Sequence, residues 1–156
     1  MIRLRVPGLL KYRDLAVRTV AAVCKLAYDE RGPGSRRPGS NFDEEVVSAF
    51  GEAFNNIAIH GYRNRPAGDV EIEMQLSLDR MTIRLIDYGN SFDIGQVPEP
   101  NLEALPESGL GIFIIRSFMD AVAYTPGQPN VLSMTKYLTG DENLGSGARQ
   151  GQAGRS

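Results

Sequence analysis

The feature that most constrains the fold is a pair of alternating segments in the middle of the chain. Apolar and polar side chains alternate across residues 70–78, and the pattern returns across residues 81–85 after a short turn at Asp79 and Arg80. Successive side chains of a strand point to opposite faces, so each segment predicts a strand with one buried face, and together they predict an antiparallel hairpin. The side chains predicted to face inward are Val70, Ile72, Met74, Leu76, Leu78, Met81, Ile83 and Leu85, and those predicted to face outward include Glu71, Glu73, Thr82 and Arg84.

The other apolar patterns predict further helices and strands on both sides of this hairpin. Residues 2–6 alternate like a strand, and residues 9–28 carry apolar side chains near helical spacing. A second helix is predicted from an N-cap at Asn41 to about His60, and a strongly apolar third one across residues 110–122. Two last strands are predicted at residues 121–124 and 131–138. This order predicts an α/β two-layer sandwich, with a mixed, mostly antiparallel sheet and helices on one face.

Length and charge indicate a single domain that does not bind nucleic acid. The chain has 156 residues, of which residues 1–138 are predicted to form the domain. Residues 139–156, rich in Gly, Ser, Gln and Ala, are predicted to be a disordered tail, and residues 31–40 a solvated loop. The net charge is −2, whereas a general nucleic-acid binder would carry a basic face.

Membrane and disulfide chemistry are not expected. No apolar run approaches the roughly 20 residues that span a bilayer, and the first residues lack the pattern of a signal peptide. We therefore expect a cytoplasmic protein with no membrane partner. Cys24 is the only cysteine, which excludes an internal disulfide and a cysteine-based metal cluster. Its apolar neighbours predict a buried, structural thiol.

A first candidate site lies on the second helix. Glu52, Asn56 and His60 are spaced by four residues and so share one stripe of that helix. The amide oxygen of Asn56 is a hard ligand of the kind that Mg²⁺ takes together with waters and phosphates. Glu52, one turn earlier, could orient or deprotonate a nucleophile beside those phosphates. The alternative is a solvent-facing polar stripe on an amphipathic helix.

Two further segments follow the hairpin. Asp87 and Gly89 end its second strand, where a carboxylate can accept a hydrogen bond from an exocyclic amine and a glycine lets a flat ring approach. Their alternative interpretation is a strand-ending turn. The run from Ser108 to Gly111 precedes the apolar helix, whose free N–H groups and dipole favour a phosphate. The alternative there is a helix entry with glycine chosen for backbone geometry.

In order and placement, the three segments resemble the N box and the two glycine boxes of the GHKL ATPase superfamily, which includes gyrase, histidine kinases and the mismatch-repair ATPases. The closest likeness is to the bacterial anti-sigma-factor serine kinases, and it covers almost all of residues 2–138. The matching runs are Glu52-Ala-x-x-Asn56-x-x-Ile59-His60-Gly61-Tyr62, Asp87-x-Gly89-x-x-Phe92-Asp93 and Gly109-Leu-Gly-Ile-x-Ile-Ile-Arg-Ser-Phe-Met-Asp120. The resemblance implies the Bergerat fold of this superfamily.

The resemblance also implies a role for each segment. Glu52 is implied to be the general base and Asn56 the ligand of Mg²⁺. Asp87 is implied to bind the adenine amine with Gly89 beside the ring, and the loop before the third helix is implied to be the ATP lid. The residues implied to contact Mg-ATP are Asn56, Asp87, Gly89, Ser108, Gly109, Leu110 and Gly111.

The sequence departs from the family pattern in two places. The lid, residues 94–108, is short and proline-rich, and Glu107 and Ser108 stand where a basic residue often precedes the glycines. Asn130 stands where a threonine usually opens the final strand, which calls the family's hydroxyl contact to adenine into question. His60, the only histidine, is open to a catalytic role or to a structural role at the helix end.

The resemblance implies an ATP-binding anti-sigma regulator that phosphorylates a serine of an antagonist protein and sequesters a sigma factor, acting as a homodimer. The unusual lid leaves an alternative open, in which ATP only switches a partner-binding surface and no phosphoryl group is transferred. The ATPase half of a histidine kinase is not favoured, because the sequence has no phosphoacceptor-histidine segment.

Overall fold

The fold is built on one antiparallel sheet of five strands. A computed structural model describes residues 1–29, 32–92 and 107–139, with residues 107 and 108 described by their backbone alone. The strands are β1 (Ile2–Pro7), β2 (Asp69–Leu76), β3 (Arg80–Asp87), β4 (Ala121–Thr125) and β5 (Asn130–Tyr137). Their order across the sheet is β1-β2-β3-β5-β4, and all four pairings are antiparallel. The hairpin predicted from the alternating segments is confirmed as β2 and β3.

Three helices cover one face of this sheet, as the sequence predicts. They are α1 (Arg13–Lys25), α2 (Phe42–Asn55) and α3 (Glu107–Phe118). The single helix predicted over residues 9–28 is α1 flanked by short 3₁₀ turns. Asn41 precedes α2 as predicted, yet its side chain forms no capping hydrogen bond, and its carbonyl accepts the Glu45 N–H instead. The predicted end of α3 at residue 122 is wrong, because β4 begins at Ala121 and pairs with β5.

The core lies between the helices and the inner face of the sheet. Helix α2 packs between α1 and α3 and contributes Phe50 and Phe54, which are fully buried against the strands. Cys24 of α1 is 0% exposed with its Sγ 3.8 Å from Met81 Sδ, and burial raises the pKa of its thiol to about 12. The prediction of a buried thiol is therefore confirmed. The core residues that the strands contribute are Val70, Ile72, Met74, Met81, Ile83, Leu85, Leu132 and Met134.

A lysine of the sheet fixes α2 and α3 relative to each other. Lys136 Nζ, on β5, donates to the Phe118 carbonyl at the end of α3, at 2.6 Å. The same ammonium group pairs with Glu45 in the first turn of α2. A cation is stabilised at a helix C-terminus, so this contact caps α3 and holds both helices against the same strand.

The outer face of the sheet is polar but not uniformly exposed. Glu73 points outward as predicted, yet it is only 7% exposed because arginines on both neighbouring strands cover it. Arg3 Nε lies 3.2 Å from one carboxylate oxygen and Arg84 NH1 lies 2.8 Å from the other. The prediction that Leu78 faces inward is wrong, because this residue lies beyond the end of β2 and is 53% exposed.

The loop that follows α1 is mostly exposed to solvent, as predicted, and is attached at two points to the segments beside the sheet. Arg36 N–H donates to the Leu78 carbonyl at 2.8 Å, and Arg37 forms a β-bridge with Thr139. In the part of the chain that the structure describes, no helix combines the length and the apolarity needed to cross a membrane. The predicted lid, apart from the start of α3, and the predicted tail beyond Thr139 lie outside the described residues.

Candidate functional site

Two polar residues are buried where the central strands meet. Asp87 ends β3 and Asn130 begins β5, and the register of the sheet pairs them directly. Asp87 is 4% exposed and Asn130 is 0% exposed. Asp87 Oδ1 accepts hydrogen bonds from the Gly89 N–H at 2.8 Å and from Asn130 Nδ2 at 3.2 Å. The structure therefore holds the Asp87 carboxylate at the end of β3, where the sequence places it.

Burial dominates the electrostatics of Asp87. Desolvation of the charged form raises the pKa of its carboxyl group above the usual aspartate value. The hydrogen bonds from Gly89 and Asn130 act in the opposite direction, as does the charge of Arg65. A carboxylate in such surroundings gains from a further donor, since each hydrogen bond to the ionised form offsets part of its desolvation.

Gly89 is required by the backbone that faces it. A Cβ atom on this residue would lie 2.5 Å from the Gly61 carbonyl oxygen and 2.7 Å from its carbon. The next residue, Asn90, donates its backbone N–H to the same oxygen. Gly89 thus allows the end of β3 to meet the segment that continues α2. The sequence predicts Gly89 beside a flat ring but gives no sign of this contact with Gly61.

The segment after α2 changes its helical winding at Asn56. Residues Asn56–Gly61 form a π-helix, with hydrogen bonds one residue wider than in an α-helix. Such segments are frequent at functional sites. The predicted four-residue stripe therefore does not continue regularly to His60. That histidine is exposed, and its Nδ1 lies 3.1 Å from Arg63 NH2.

Glu52 and Asn56 converge on one point of α3. If Gly111 carried a Cβ atom, it would lie 3.0 Å from Glu52 Oε2 and 3.6 Å from Asn56 Oδ1. Both side chains are half-buried, and neither forms a hydrogen bond with another residue that the structure describes. A carboxylate and an amide oxygen are thus placed side by side against the first turns of α3, with hydrogen-bonding capacity in reserve.

The glycines of the third segment lie inside α3, which corrects their predicted place before the helix. Helix α3 begins at Glu107, so Gly109 belongs to the first turn, whose N–H groups have no partner inside a helix. Gly109 is buried and Leu110 is 44% exposed. The side chain of Ser108 lies outside the described residues. The first turn of α3 therefore offers backbone donors and a positive dipole end beside Glu52 and Asn56.

The donor set fits a magnesium ion that arrives with phosphates. Among the described residues, no group of three or more His, Cys, Asp and Glu side chains is placed to hold a metal by itself. Mg²⁺ commonly takes one or two protein oxygens and fills its remaining positions with phosphate oxygens and waters. The amide oxygen of Asn56, beside a helix N-terminus suited to phosphate, matches that pattern.

Two features of the site escaped prediction. Asn130 carries a network that links Asp87 to three other residues, although the sequence marks it only as a departure from a family pattern. Phe92 stacks on Tyr124 with ring centroids 4.0 Å apart, and its N–H donates to the Tyr124 hydroxyl at 3.3 Å. This stack anchors the chain where the predicted lid begins.

Comparisons with known proteins show the family to which the chain belongs. Residues 15–136 match the family described as "Histidine kinase-like ATPase domain". The "Serine-protein kinase RsbW" of Staphylococcus aureus strain JH9 is 31% identical over 159 residues, which cover 95% of this chain and 93% of the relative. The protein of the same name from strain Newman matches equally.

A solved structure supports the fold. The histidine kinase domain of the blue-light activated histidine kinase from Erythrobacter litoralis EL346 superposes with a TM-score of 0.52 at 15% identity. The match covers 85% of this chain and 62% of that one, and at this identity it bears on the fold alone. The family match and the similarity to the two kinases extend over most of the chain. The chain therefore belongs to the histidine kinase-like (GHKL) ATPase family, among its RsbW-type members.

Proposed function

We propose that this protein is a cytoplasmic protein-serine kinase that binds Mg-ATP, phosphorylates a serine of an antagonist protein and sequesters a sigma factor. The observation that carries the proposal is the convergence of Glu52 and Asn56 on Gly111, beside the first turn of α3. The similarity to proteins named serine-protein kinase RsbW supports the reaction class.

Each end of the proposed site has a separate task. Asp87 accepts a hydrogen bond from the adenine amine, while the first turn of α3 binds phosphate oxygens through the backbone of Ser108, Gly109 and Leu110. Gly111 keeps the space beside Glu52 and Asn56 clear of a side chain. Asn56 holds Mg²⁺, which supplies neutralisation of phosphate charge when it is bound.

Glu52 acts as the general base in this proposal. The attacking serine hydroxyl transfers its proton to the Glu52 carboxylate as its oxygen bonds to the γ-phosphorus of ATP. The bond from the γ-phosphorus to the bridging oxygen breaks, and ADP leaves with the electron pair. Catalysis of this kind rests on positioning and charge stabilisation, and general-base assistance contributes about 10²–10⁴-fold.

A labelling assay with one matched variant tests the kinase proposal. Candidate antagonists, beginning with small single-domain proteins encoded beside this chain, are incubated with γ-labelled ATP and the protein. We expect serine labelling that falls at least ~100-fold in Glu52→Gln, because that change removes the base and keeps the shape of the side chain. Glu44→Gln, an exposed glutamate in the first turn of the same helix, is the control. Undiminished labelling by Glu52→Gln would remove Glu52 from the mechanism.

A second function is supported by the distribution of positive charge. No lysine or arginine stands between Arg84 and Arg116, so the lid brings no cation to the phosphates. Neutralisation of the transferring phosphoryl group normally needs such a charge. In this alternative, ATP only switches a partner-binding surface. Stoichiometric ATP binding with no single-turnover transfer to any candidate antagonist, while a sigma factor is bound, would select it over the kinase.

The proposed partners predict a particular assembly. We expect a homodimer to be the form that binds the sigma factor, as in the family that the sequence resembles. Light scattering of the free protein, and of its mixture with the sigma factor encoded nearest to it, measures both masses. A monomeric protein that binds sigma factor one to one would contradict this part of the proposal.

A further inference from the structure

The Asn130 side chain uses every hydrogen-bonding position it has. Its Nδ2 donates to Asp87 Oδ1 at 3.2 Å and to the Gly89 carbonyl at 2.9 Å. Its Oδ1 accepts from the Ser91 hydroxyl at 2.5 Å and from the Gly127 N–H at 3.0 Å. A carboxamide offers two donors and one acceptor oxygen with two lone pairs, so its capacity is filled.

The partners of Asn130 fix which way its amide points. The Gly127 N–H can only donate, so the atom that faces it must be the carbonyl oxygen of the amide. The amide nitrogen then faces Asp87 and the Gly89 carbonyl, both of which accept. Asn130 thereby connects the end of β3, residues 89–91 and the turn between β4 and β5.

The same arrangement fixes the orientation of Asp87. Both of its hydrogen bonds, from Gly89 and from Asn130, go to Oδ1. Neither of these hydrogen bonds goes to the second oxygen, Oδ2. Of the other groups around this carboxylate, Arg65 is a cation, while Tyr62 and Tyr124 are phenols whose pKa burial raises above the ordinary tyrosine value. Asn130 therefore orients Asp87 without neutralising it.

We propose that Asn130 is a positioning residue that sets base specificity: by pinning Asp87 Oδ1, it turns Oδ2 toward the 6-position of a purine and selects a 6-amino over a 6-oxo group. This inference rests on the proposed nucleotide site, though not on phosphoryl transfer. A 6-amino group donates to Oδ2, whereas the oxygen of a 6-oxopurine meets a buried carboxylate and is repelled.

Binding of ATP and inosine triphosphate (ITP), which differ at the 6-position, tests the inference. We expect the wild-type protein to bind ATP at least ~10-fold more tightly than ITP, as one charged hydrogen bond would produce. In Asn130→Ala, ATP affinity falls about 5–20-fold and ITP affinity changes less than about 2-fold, so the discrimination shrinks. Ser133→Ala, on the opposite face of the same strand, is the control. Equal losses for both nucleotides would mean a merely structural role and would overturn the inference.

A second pair of variants tests the orientation itself. In Asp87→Asn, Oδ1 keeps its two donors, so the new amide nitrogen occupies the place of Oδ2 and donates to a 6-oxo group. We expect this variant to prefer ITP over ATP, and Asp87→Asn combined with Asn130→Ala to lose that preference, because the unpinned amide can turn. Retention of the preference in the double variant would contradict the role of Asn130.

Thermal melting of each variant separates specificity from folding. The nucleotide ratio is measured only below the melting transition, and Asn130→Leu, which keeps the approximate size of the side chain and removes its hydrogen bonds, replaces Asn130→Ala if the latter does not fold. A reduced ATP-to-ITP ratio in Asn130→Leu supports the inference, and a wild-type ratio overturns it. If the wild-type protein binds neither nucleotide, both the proposed function and this inference are wrong. If it binds ATP but transfers no phosphoryl group, only the proposed kinase activity is wrong.

Discussion

Two regions of the proposed site are built in opposite ways: the proposed base pocket around Asp87 and Asn130, and the proposed phosphate corner around Glu52 and Asn56. In the base pocket, around Asp87 and Asn130, side chains are buried and their hydrogen bonds are made within the chain. In the phosphate corner, Glu52 and Asn56 are half-buried and form no hydrogen bond with another described residue. The side chains of the first region are held by hydrogen bonds within the chain, whereas those of the second have unused hydrogen-bonding capacity. Substitutions in the base pocket should therefore alter folding or base recognition, and those in the phosphate corner should alter Mg-ATP binding or phosphoryl transfer without a loss of stability.

The largest expected effect is a loss of stability from the base pocket. In Gly89→Ala the new methyl group meets the Gly61 carbonyl, which is backbone and cannot turn aside. We expect the free energy of unfolding to fall by about 2–4 kcal/mol and nucleotide binding to fall with it. Gly39→Ala is the control, because its methyl group would lie at an ordinary 3.7 Å from Thr139 Oγ1. Denaturant unfolding measures the stability of Gly89→Ala and of Gly39→Ala. Equal stabilities of the two variants would contradict the close backbone contact described for Gly89.

In the phosphate corner the same type of substitution should leave stability intact. In Gly111→Ala the methyl group would lie 3.0 Å from Glu52 Oε2, the mobile end of a side chain that can move away. Alanine also favours a helix over glycine by up to about 1 kcal/mol, so the melting temperature should hold or rise. Displacing Glu52 should lower phosphoryl transfer by about 100-fold. A variant of unchanged activity would mean that Glu52 is not used where the structure places it; Ser117→Ala, at the other end of α3, is the control.

Asp87 sharpens the comparison, because it is buried like a core residue and is proposed to contact the ligand. Asp87→Asn keeps an acceptor for Gly89 and Asn130 and removes the buried charge. We expect ATP affinity to fall about 10–100-fold, while the unliganded protein is at least as stable as the wild type. Isothermal titration measures the ATP affinity, and thermal melting measures the stability of the unliganded protein. A large loss of stability in the absence of ligand would contradict the orientation described for Asp87.

The stability difference between the wild-type protein and Asp87→Asn should depend on pH in a direction that follows from the pKa shift of Asp87. Burial raises the pKa of the folded Asp87 carboxyl, so the folded protein binds this proton more tightly than the unfolded chain does. The stability of the wild type should fall, relative to Asp87→Asn, as pH rises from about 4, the unfolded aspartate value, to the raised folded value. Melting curves of both proteins across this range measure the difference. A stability difference between Asp87→Asn and the wild type that shrinks as pH rises would contradict the raised pKa of Asp87.

The smallest expected effect lies at the edge of the base pocket. Tyr124→Phe keeps the stack on Phe92 and removes only the hydroxyl that accepts the Phe92 N–H. We expect a loss of about 1 kcal/mol or less in the free energy of unfolding and less than about 3-fold in ATP affinity. A change in affinity as large as that of Asp87→Asn would mean that the hydroxyl itself contacts the nucleotide.

The sequence predicts the parts of this molecule that depend on local patterns. Alternation gives the β2–β3 hairpin and its buried face, and the order of elements gives the layers. Glu52 lies on the second helix and Asp87 ends β3, as the sequence predicts, whereas Gly109 lies inside α3 rather than before it. In each case the signal is carried by neighbouring residues or by a motif within one segment.

What the sequence does not predict depends on contacts between distant segments. Asn130 lies 43 residues from Asp87 in the chain, and only the register of β3 against β5 brings them together. The burial of Glu73 requires Arg3, which lies 70 residues away. Gly61, which faces Gly89, belongs to the π-helix Asn56–Gly61, for which no local residue pattern gave a signal.

The most direct test of the proposed site is the effect of Mg²⁺ on ATP affinity in Asn56→Ala. We expect Mg²⁺ to tighten ATP binding to the wild-type protein by about 10-fold or more, and to have little effect on the variant, which lacks the amide oxygen beside Gly111. Asn41→Ala, an asparagine whose side chain caps nothing at the start of the same helix, should behave as the wild type. An undiminished Mg²⁺ effect in Asn56→Ala would contradict the assignment of this corner as the metal and phosphate site.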